Sequence, residues 1–287
     1  MKNLLLQLDT DPQPSTFDSV VAADSGADVM FRHGSVTPKQ VEPLVHGLIF
    51  TRAPSMLNHS AIFIGGSDVG ATEELLSKVT NSFFGPMRVS VMLDGNGANT
   101  TAAAAVICAA RHLSLEGAQA LVIGGTGPVG QRAARLLLCS GAHVRVASRS
   151  LEKAERVCHQ ISEQIPTGIP QPFVTTDNDS VEEALEGMEI LIAAGAAGVT
   201  LVPQALRQKA SELKVAIDLN AVPPVGLEGI ESMDKGAERD GQISYGAIGV
   251  GATKMDIHRK AIERLFESNE LVLNAEEIFE IGKELER

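Results

Sequence analysis

A short apolar run that ends in closely spaced glycines is the feature that most constrains how this chain folds. The run covers residues 120–123, and Gly125, Gly127 and Gly130 follow it with the spacing G-x-G-x-x-G. Such glycines permit a tight turn, a close approach of the backbone to a diphosphate, and close packing of a helix on the strand. Residues 131–138 continue with an amphipathic helical pattern. The segment therefore predicts a strand, a loop and a helix that bind a dinucleotide.

The next strand-like run carries information about the adenosine end of that dinucleotide. It ends in Ser148-Arg149-Ser150, and residues 147–150 contain no acid. An NAD enzyme usually places Asp or Glu here, where the carboxylate binds the 2′-hydroxyl of the ribose. Arg149 instead offers a guanidinium to a 2′-phosphate, and Lys153 follows one turn later. NADP is therefore the predicted cofactor, and the alternative is an exposed arginine in an NAD-binding or purely structural unit.

Two later loops complete the predicted cofactor site. A small-residue loop follows the strand-like run at 189–193, and a Pro/Gly-rich loop follows the run at 214–218. Ligands of open α/β sheets bind at the carboxyl ends of the strands. The predicted cofactor residues are Gly125, Thr126, Gly127, Pro128, Val129, Gly130, Ser148, Arg149, Ser150, Lys153, Ala194, Gly195 and Asn220.

Composition narrows the class of protein. The 287 residues carry a net charge of −12, which argues against nucleic acids and anionic membranes as partners. No apolar run is long enough to span a membrane or to act as a signal peptide, so the sequence predicts a cytoplasmic protein. The three cysteines lack C-x-x-C spacing and are expected to be reduced and buried. No spacing typical of metal ligands is present, so no metal is expected.

Alternating strand and helix signals predict a two-domain α/β protein. Residues 1–100 form the expected N-terminal α/β domain, joined by a C-terminal helix at 270–287. Residues 101–269 form the expected Rossmann-type domain. Among the expected elements are a strand at 48–51 and a helix at 102–112 with Asn99 or Thr100 as its N-cap.

Further polar and aromatic residues are candidates for a substrate site. Lys254 and His258 are spaced i, i+4 on a helix expected at 253–266, which places Lys254 near the helix N-terminus. Phe17 follows a strand end and could stack on a ring. The loop at 94–101 holds polar groups that could bind a heterocycle, namely Asp94, Asn96, Asn99 and Thr100. The alternatives are a solvated Lys/His face, an ordinary hydrophobic contact, and turn and capping chemistry.

Several motifs in order give the chain a family resemblance. They are Asp94-Gly-Asn-Gly-x-Asn-Thr-Thr101, Gly124-Gly-Thr-Gly-Pro-Val-Gly130 and Gly246-Ala-Ile-Gly-Val-Gly-x-x-Lys254-x-x-x-His258. With them the chain resembles the NAD(P)-dependent methylene-tetrahydromethanopterin dehydrogenases of methylotrophic bacteria. The resemblance implies a pterin-binding N-terminal domain, a Rossmann-type cofactor domain, and a homo-oligomer expected to be a trimer. It also implies that the active-site residues are Phe17, Thr101, Lys254 and His258.

The implied reaction is reversible hydride transfer from methylene-tetrahydromethanopterin to NADP, giving the methenyl form. Two departures from the family pattern are Asp256 and the Ser148-Arg149-Ser150 strand end, and the second leaves use of NAD open. A methylene-tetrahydrofolate dehydrogenase, with or without cyclohydrolase activity, is one alternative. Others are a shikimate- or glutamate-semialdehyde-type oxidoreductase and a non-catalytic NADP-binding Rossmann protein.

Overall fold

The computed structural model describes residues 1–165 and 168–287 and separates them into two compact units. The first unit comprises Met1–Thr100 and Met255–Arg287, and the second comprises Thr101–Lys254. Strands and helices are numbered in chain order through both units.

The first unit is a five-stranded parallel sheet with helices packed on it. The strand order is β12-β4-β3-β1-β2. Its strands are β1 (Leu4–Asp9), β2 (Val29–His33), β3 (Ser60–Gly65), β4 (Ser90–Leu93) and β12 (Val272–Leu273). Its helices are α1 (Thr16–Asp24), α2 (Pro38–Ile49), α3 (Val69–Asn81) and α10 (Ala275–Leu285).

Local sequence explains where these helices begin. The Ser15 hydroxyl accepts a hydrogen bond from the backbone N–H of Asp18 at the start of α1. The Asp68 carboxylate accepts one from the backbone N–H of Ala71 at the start of α3. Thr37 and Gln40 form a capping box before α2. Such caps satisfy amide groups that a helix start leaves without partners. The strands are held by an apolar core that is buried on the α2 and α3 side of the sheet.

The second unit is a seven-stranded sheet in the order β7-β6-β5-β8-β9-β11-β10. Its strands are β5 (Gln119–Ile123), β6 (His143–Ser148), β7 (Gln171–Val174), β8 (Ile190–Ala193), β9 (Val215–Asp218), β10 (Lys235–Arg239) and β11 (Gln242–Tyr245). Its helices are α5 (Pro128–Cys139), α6 (Leu151–Gln164), α7 (Asn178–Leu185) and α8 (Gln204–Lys209). All neighbouring strands are parallel except β10, which pairs antiparallel with β11.

This strand order defines the fold of the second unit. Taken in chain order from β5, and setting aside the antiparallel edge strand β10, the sheet has the order 3-2-1-4-5-6 of the doubly wound dinucleotide-binding fold. The order reverses between β5 and β8, and a ligand of such a sheet binds in the crevice at that point. The expected Rossmann-type α/β fold is confirmed.

Two long helices, α4 (Ala98–Ala110) and α9 (Ala247–Arg264), each continue through a boundary between the units. The sequence assigned residues 255–269 to the Rossmann-type domain, whereas the structure places them in the first unit. The physical reason is the contact of this segment with the first sheet: His258 stacks on Phe63 of β3. A helix that crosses a boundary gives no break in its own sequence pattern.

Other expectations differ from the structure at the ends of elements. Residues 48–49, expected in a strand at 48–51, are the last turn of α2, because apolar residues on a buried helix face and in a buried strand look alike over such short runs. Helix α9 begins at Ala247, so Lys254 lies about two turns into it instead of at its N-terminus. Among the cysteines, Cys108 and Cys158 are buried, but Cys139 is exposed at the end of α5.

Candidate functional site

The glycine-rich loop connects β5 to α5 in the second unit. Gly127 is the N-cap of α5, and Pro128 is its first residue. The loop is held by backbone hydrogen bonds from Gly125 N to Ala147 O (2.9 Å) and from Gly127 N to Gly124 O (3.2 Å). The loop therefore leads directly into the N-terminus of α5, and a helix N-terminus that follows such a loop is the arrangement that binds phosphate groups.

The glycines of this loop have different physical roles. A Cβ atom on Gly124 would lie 2.5 Å from Gly195 Cα, and one on Gly130 would lie 2.7 Å from Gly124 O. Both positions need glycine because backbone meets backbone there. A Cβ on Gly127 would come no closer than 3.5 Å to any atom it meets. Packing within the chain therefore leaves room for a side chain at position 127, and glycine there leaves this space open to a ligand.

A cleft of about 800 Å³ opens beside the loop, at the carboxyl ends of β5, β6, β7 and β8. Eight of the predicted cofactor residues line it: Thr126, Gly127, Ser148, Arg149, Ser150, Lys153, Ala194 and Gly195. Its position at the point where the strand order reverses is the one expected for a dinucleotide. A volume of this size suits a large cofactor.

Hydrogen bonds order the end of β6 that carries the cationic side chains. Ser150 N donates to Ser148 Oγ (3.3 Å), and the Ser150 hydroxyl caps α6 by accepting from Lys153 N (3.3 Å). Arg149 and Lys153 are exposed and line the cleft. The serines thus shape the turn, while the two cations provide positive charge for a phosphate.

The remaining predicted cofactor residues do not line this cleft. Gly125, Pro128, Val129 and Gly130 form the backbone of the loop and the first turn of α5. Asn220 shapes its own loop, since its amide donates to Pro224 O (3.1 Å) and accepts from Val222 N (2.9 Å).

Asp218, at the end of β9, holds the same loop as Asn220. The Asp218 carboxylate accepts hydrogen bonds from Asn220 N (3.0 Å) and Leu227 N (2.9 Å). Burial raises the pKa of Asp218, against the opposing effect of these backbone hydrogen bonds. Its role is therefore to stabilise the loop.

Sequence reasoning missed the loop after β7, which contributes Thr175, Thr176, Asp177 and Asn178 to the cleft. Asp177 caps α7 by accepting from Ser180 N (2.9 Å). Hydrogen bonds from Ser180 lower the pKa of Asp177, so the cleft contains a carboxylate that is ionised at neutral pH. The capping pattern Asp177-x-x-Ser180 can be recognised in the sequence. That this loop reaches the cofactor cleft follows only from the strand order, which places β7 beside β6.

In the first unit, the structure brings together two of the predicted active-site residues, Phe17 and His258. Their ring centroids are 6.3 Å apart with an interplanar angle of 41°. His258 also stacks on Phe63, with centroids 5.8 Å apart and planes at 20°. Phe17 is 53% exposed, whereas His258 is completely buried. About half of Phe17 is therefore accessible to solvent, and the buried imidazole of His258 lies beside its ring.

The polar loop after β4 is largely occupied with its own hydrogen bonds. The Asp94 carboxylate accepts from Asn99 N (3.0 Å), Thr100 N (3.1 Å) and Thr100 Oγ1 (2.6 Å). The Asn99 amide donates to Leu93 O (2.6 Å) and Asn274 Oδ1 (3.0 Å). All three side chains are buried. Asp94, Asn99 and Thr100 are thus engaged in stabilising the start of α4, which begins at Ala98, and neither Asn99 nor Thr100 is its N-cap.

The other two predicted active-site residues belong to the second unit. Thr101 is partly buried near the start of α4, and Lys254 is partly buried on α9. Lys254 and His258 share one face of α9, as their i, i+4 spacing predicts.

Within residues 1–165 and 168–287, no group of three or more His, Cys, Asp or Glu side chains is arranged to hold a metal ion. None of the helices in the described part of the chain has the length and apolarity needed to cross a membrane.

Comparison with known families divides the chain much as the fold does. Residues 16–96 match the family described as methylene-tetrahydromethanopterin dehydrogenase, N-terminal. Residues 107–234 match shikimate/quinate 5-dehydrogenase. Among solved structures, the shikimate 5-dehydrogenase of Listeria monocytogenes has a TM-score of 0.56 at 14% identity, covering 99% of this chain and 96% of that one. At this identity the likeness concerns the fold alone.

Curated relatives from Methylorubrum extorquens match nearly end to end. One, named bifunctional protein MdtA, is 44% identical over 99% of both chains. Another, named NAD(P)-dependent methylenetetrahydromethanopterin dehydrogenase, is 28% identical over 94% of both chains. Fold and cleft together define the class as a protein of two compact units, one of which has the Rossmann-type dinucleotide-binding fold. The chain belongs to the methylene-tetrahydromethanopterin dehydrogenase family, which confirms the resemblance seen in the sequence.

Proposed function

We propose that the chain catalyses reversible hydride transfer from methylene-tetrahydromethanopterin to NADP, with NAD also accepted, and yields the methenyl form. The observation that carries the proposal is the cleft at the strand-order reversal, with Gly127 at the start of α5 and the cations Arg149 and Lys153 along one side. Membership of the family supports the identity of the carrier.

The residues that line the cleft have charges and hydrogen-bonding groups that suit NADP. The loop amides at the start of α5 suit a diphosphate, and the open space at Gly127 accommodates its approach. Arg149 and Lys153 suit a 2′-phosphate. Asp177 brings a negative charge into the same cleft, and its carboxylate could accept hydrogen bonds from a ribose hydroxyl. This mixture of charges supports a preference for NADP together with use of NAD.

Oxidised nicotinamide, when bound, accepts the hydride and its two electrons from the one-carbon bridge. Because no proton leaves the reacting carbon, the chain needs no strong general base, and its main task is alignment. Phe17 packs on a ring of the carrier, and buried His258 holds Phe17 in place. The family resemblance implies that Thr101 and Lys254 are active-site residues. In this proposal Thr101 forms a hydrogen bond with the carrier, and Lys254 positions it.

The direct test measures the rise in nicotinamide absorbance with NADP and NAD, each supplied with methylene-tetrahydromethanopterin and with methylene-tetrahydrofolate. Turnover of the methanopterin carrier is expected. Turnover of the folate carrier alone would show that the enzyme is a methylene-tetrahydrofolate dehydrogenase instead. Binding of NADP without turnover of either carrier would contradict it.

A matched pair of variants tests the role of Phe17. Phe17 and Val20 lie on α1 with similar exposure, 53% and 54%. Phe17→Ala should reduce kcat/KM for the carrier about tenfold, since stacking on a ring is lost. Val20→Ala should leave kcat/KM unchanged. Equal effects of the two substitutions would contradict the assignment.

We also infer that the protein is a cytoplasmic homo-oligomer, a trimer, as the family resemblance implies. Light scattering coupled to size-exclusion chromatography measures the assembly directly. A mass equal to that of one chain, 30.3 kDa, would contradict this inference.

A further inference from the structure

The loop after β4 holds an asparagine in a backbone conformation that few side chains adopt. Asn96 has φ 51° and ψ 25°, in the left-handed region, where asparagine is tolerated better than most residues but glycine is favoured. Backbone contacts hold it there. Asn96 N donates to Gly66 O (2.7 Å), and Gly97 N donates to Asp94 O (3.0 Å).

The Asn96 side chain has no structural task in this loop. It is exposed, and its amide makes no hydrogen bond to any residue in 1–165 or 168–287. Glycine would adopt the same backbone conformation at lower cost. Both neighbours, Gly95 and Gly97, are in fact glycines, and a Cβ on Gly95 would lie 2.3 Å from Thr72 Oγ1. Gly97 also has a positive φ, of 60°. Glycine is thus favoured at all three positions, and only position 96 carries a side chain.

Asn96 lies at the edge of the first sheet where a ligand is expected. It follows the carboxyl end of β4, and Phe17 lies in α1, which follows the carboxyl end of β1. Only β3 separates these two strands in the sheet. In parallel sheets, loops at the carboxyl ends of strands carry the binding residues. The same edge thus offers an exposed aromatic ring and an exposed amide.

We propose that Asn96 is a specificity-determining residue that recognises the pyrimidine edge of the tetrahydropterin carrier, an inference that rests on the proposed function. An amide side chain combines a carbonyl acceptor with an N–H donor. The 2-amino-4-oxopyrimidine of a pterin carries adjacent N–H donors and a carbonyl acceptor on one edge. The two groups can therefore form a pair of hydrogen bonds while Phe17 packs on a ring face. Asp94, Asn99 and Thr100 contribute indirectly, because they hold the loop rigid.

Asn96→Gly provides a clean test, because glycine keeps the left-handed backbone and removes only the amide. The KM for the methylene carrier should rise about tenfold, as expected for lost hydrogen bonds in a site that otherwise stays formed. The KM for NADP should not change, and the melting temperature should not fall. Unsubstituted tetrahydropterin, used as a competitive inhibitor, should lose affinity by a similar factor, which would localise the effect to the ring system.

Ser35→Gly is the matched control. Ser35 is also exposed and has a φ of 52°, and it follows β2 at the same edge of the sheet. This substitution should leave both KM values unchanged. An unchanged carrier KM in Asn96→Gly, with normal turnover by the unmodified protein, would overturn this inference and leave the proposed function intact. Absence of carrier turnover by the unmodified protein would overturn both.

Discussion

The imidazole of His258 lies nearly parallel to the ring of Phe63, with centroids 5.8 Å apart and planes at 20°. These residues are far apart in sequence, on α9 and β3. The contact secures the middle of α9 to the first sheet and places a buried, flat ring behind the exposed Phe17. His258 consequently acts on the candidate carrier site by supporting another ring.

This arrangement predicts different outcomes for two substitutions of His258. His258→Ala should destabilise the protein by about 3 kcal/mol, because it leaves a cavity in a packed region, and should raise the carrier KM as Phe17 loses its support. His258→Phe should keep the stacking, cost less than about 1.5 kcal/mol and retain most of the activity. Urea unfolding and carrier kinetics measure both effects. A stable but inactive His258→Phe protein would show instead that the imidazole itself acts on the carrier.

Arg149 should determine how strongly the enzyme prefers NADP. Arg149→Ala is expected to raise the KM for NADP by about tenfold to a hundredfold, the effect of losing a charge-assisted contact with phosphate. The KM for NAD should stay within about twofold, because NAD lacks the 2′-phosphate. Lys153→Ala should act in the same direction but more weakly, since an ammonium makes no bidentate contact. Equal changes for the two cofactors would show that Arg149 does not contact the 2′-phosphate.

Substitutions of two glycines in the loop should have different effects on cofactor binding and on protein stability. Gly130→Ala places a Cβ 2.7 Å from backbone atoms of Gly124 and Gly125 and should cost about 1–3 kcal/mol of stability. Gly127→Ala meets no atom closer than 3.5 Å, so it should cost only the preference for glycine over alanine at this N-cap, about 1 kcal/mol or less. Its affinity for NADP, measured by calorimetry, should nevertheless fall at least about tenfold if the diphosphate approaches this residue. Undiminished binding by Gly127→Ala would place the diphosphate elsewhere.

The cysteines should differ sharply in reactivity. Burial raises the pKa of Cys158 to about 11, so about one thiol in a thousand is ionised at about pH 8. Cys139 is exposed at the end of α5 and should react with iodoacetamide first. Peptide mass spectrometry measures the order of labelling, and protein unfolded in guanidinium chloride, in which all three cysteines should react alike, is the control. Early labelling of Cys158 in the folded protein would contradict its burial.

The glycine loop shows what short-range sequence information can achieve here. The strand, the turn and the start of α5 were predictable because their hydrogen bonds and close contacts involve few, neighbouring residues. The same is true of the cationic strand end at Arg149. In each case the residues that stabilise the local structure lie within a few positions of one another in the sequence.

The remainder depended on contacts between distant segments. The loop at 175–178 joins the cofactor cleft because β7 lies beside β6 in the sheet, and local sequence does not encode strand order. From its sequence context, the Asp94 carboxylate could bind a ligand or stabilise the start of a helix. In the structure it accepts hydrogen bonds from the backbone amides of Asn99 and Thr100, and so stabilises the start of α4. Likewise, burial of His258 between Phe63 and Phe17 required α9 to cross into the first unit. Residue types define what a side chain can do chemically, but packing decides which partner it meets.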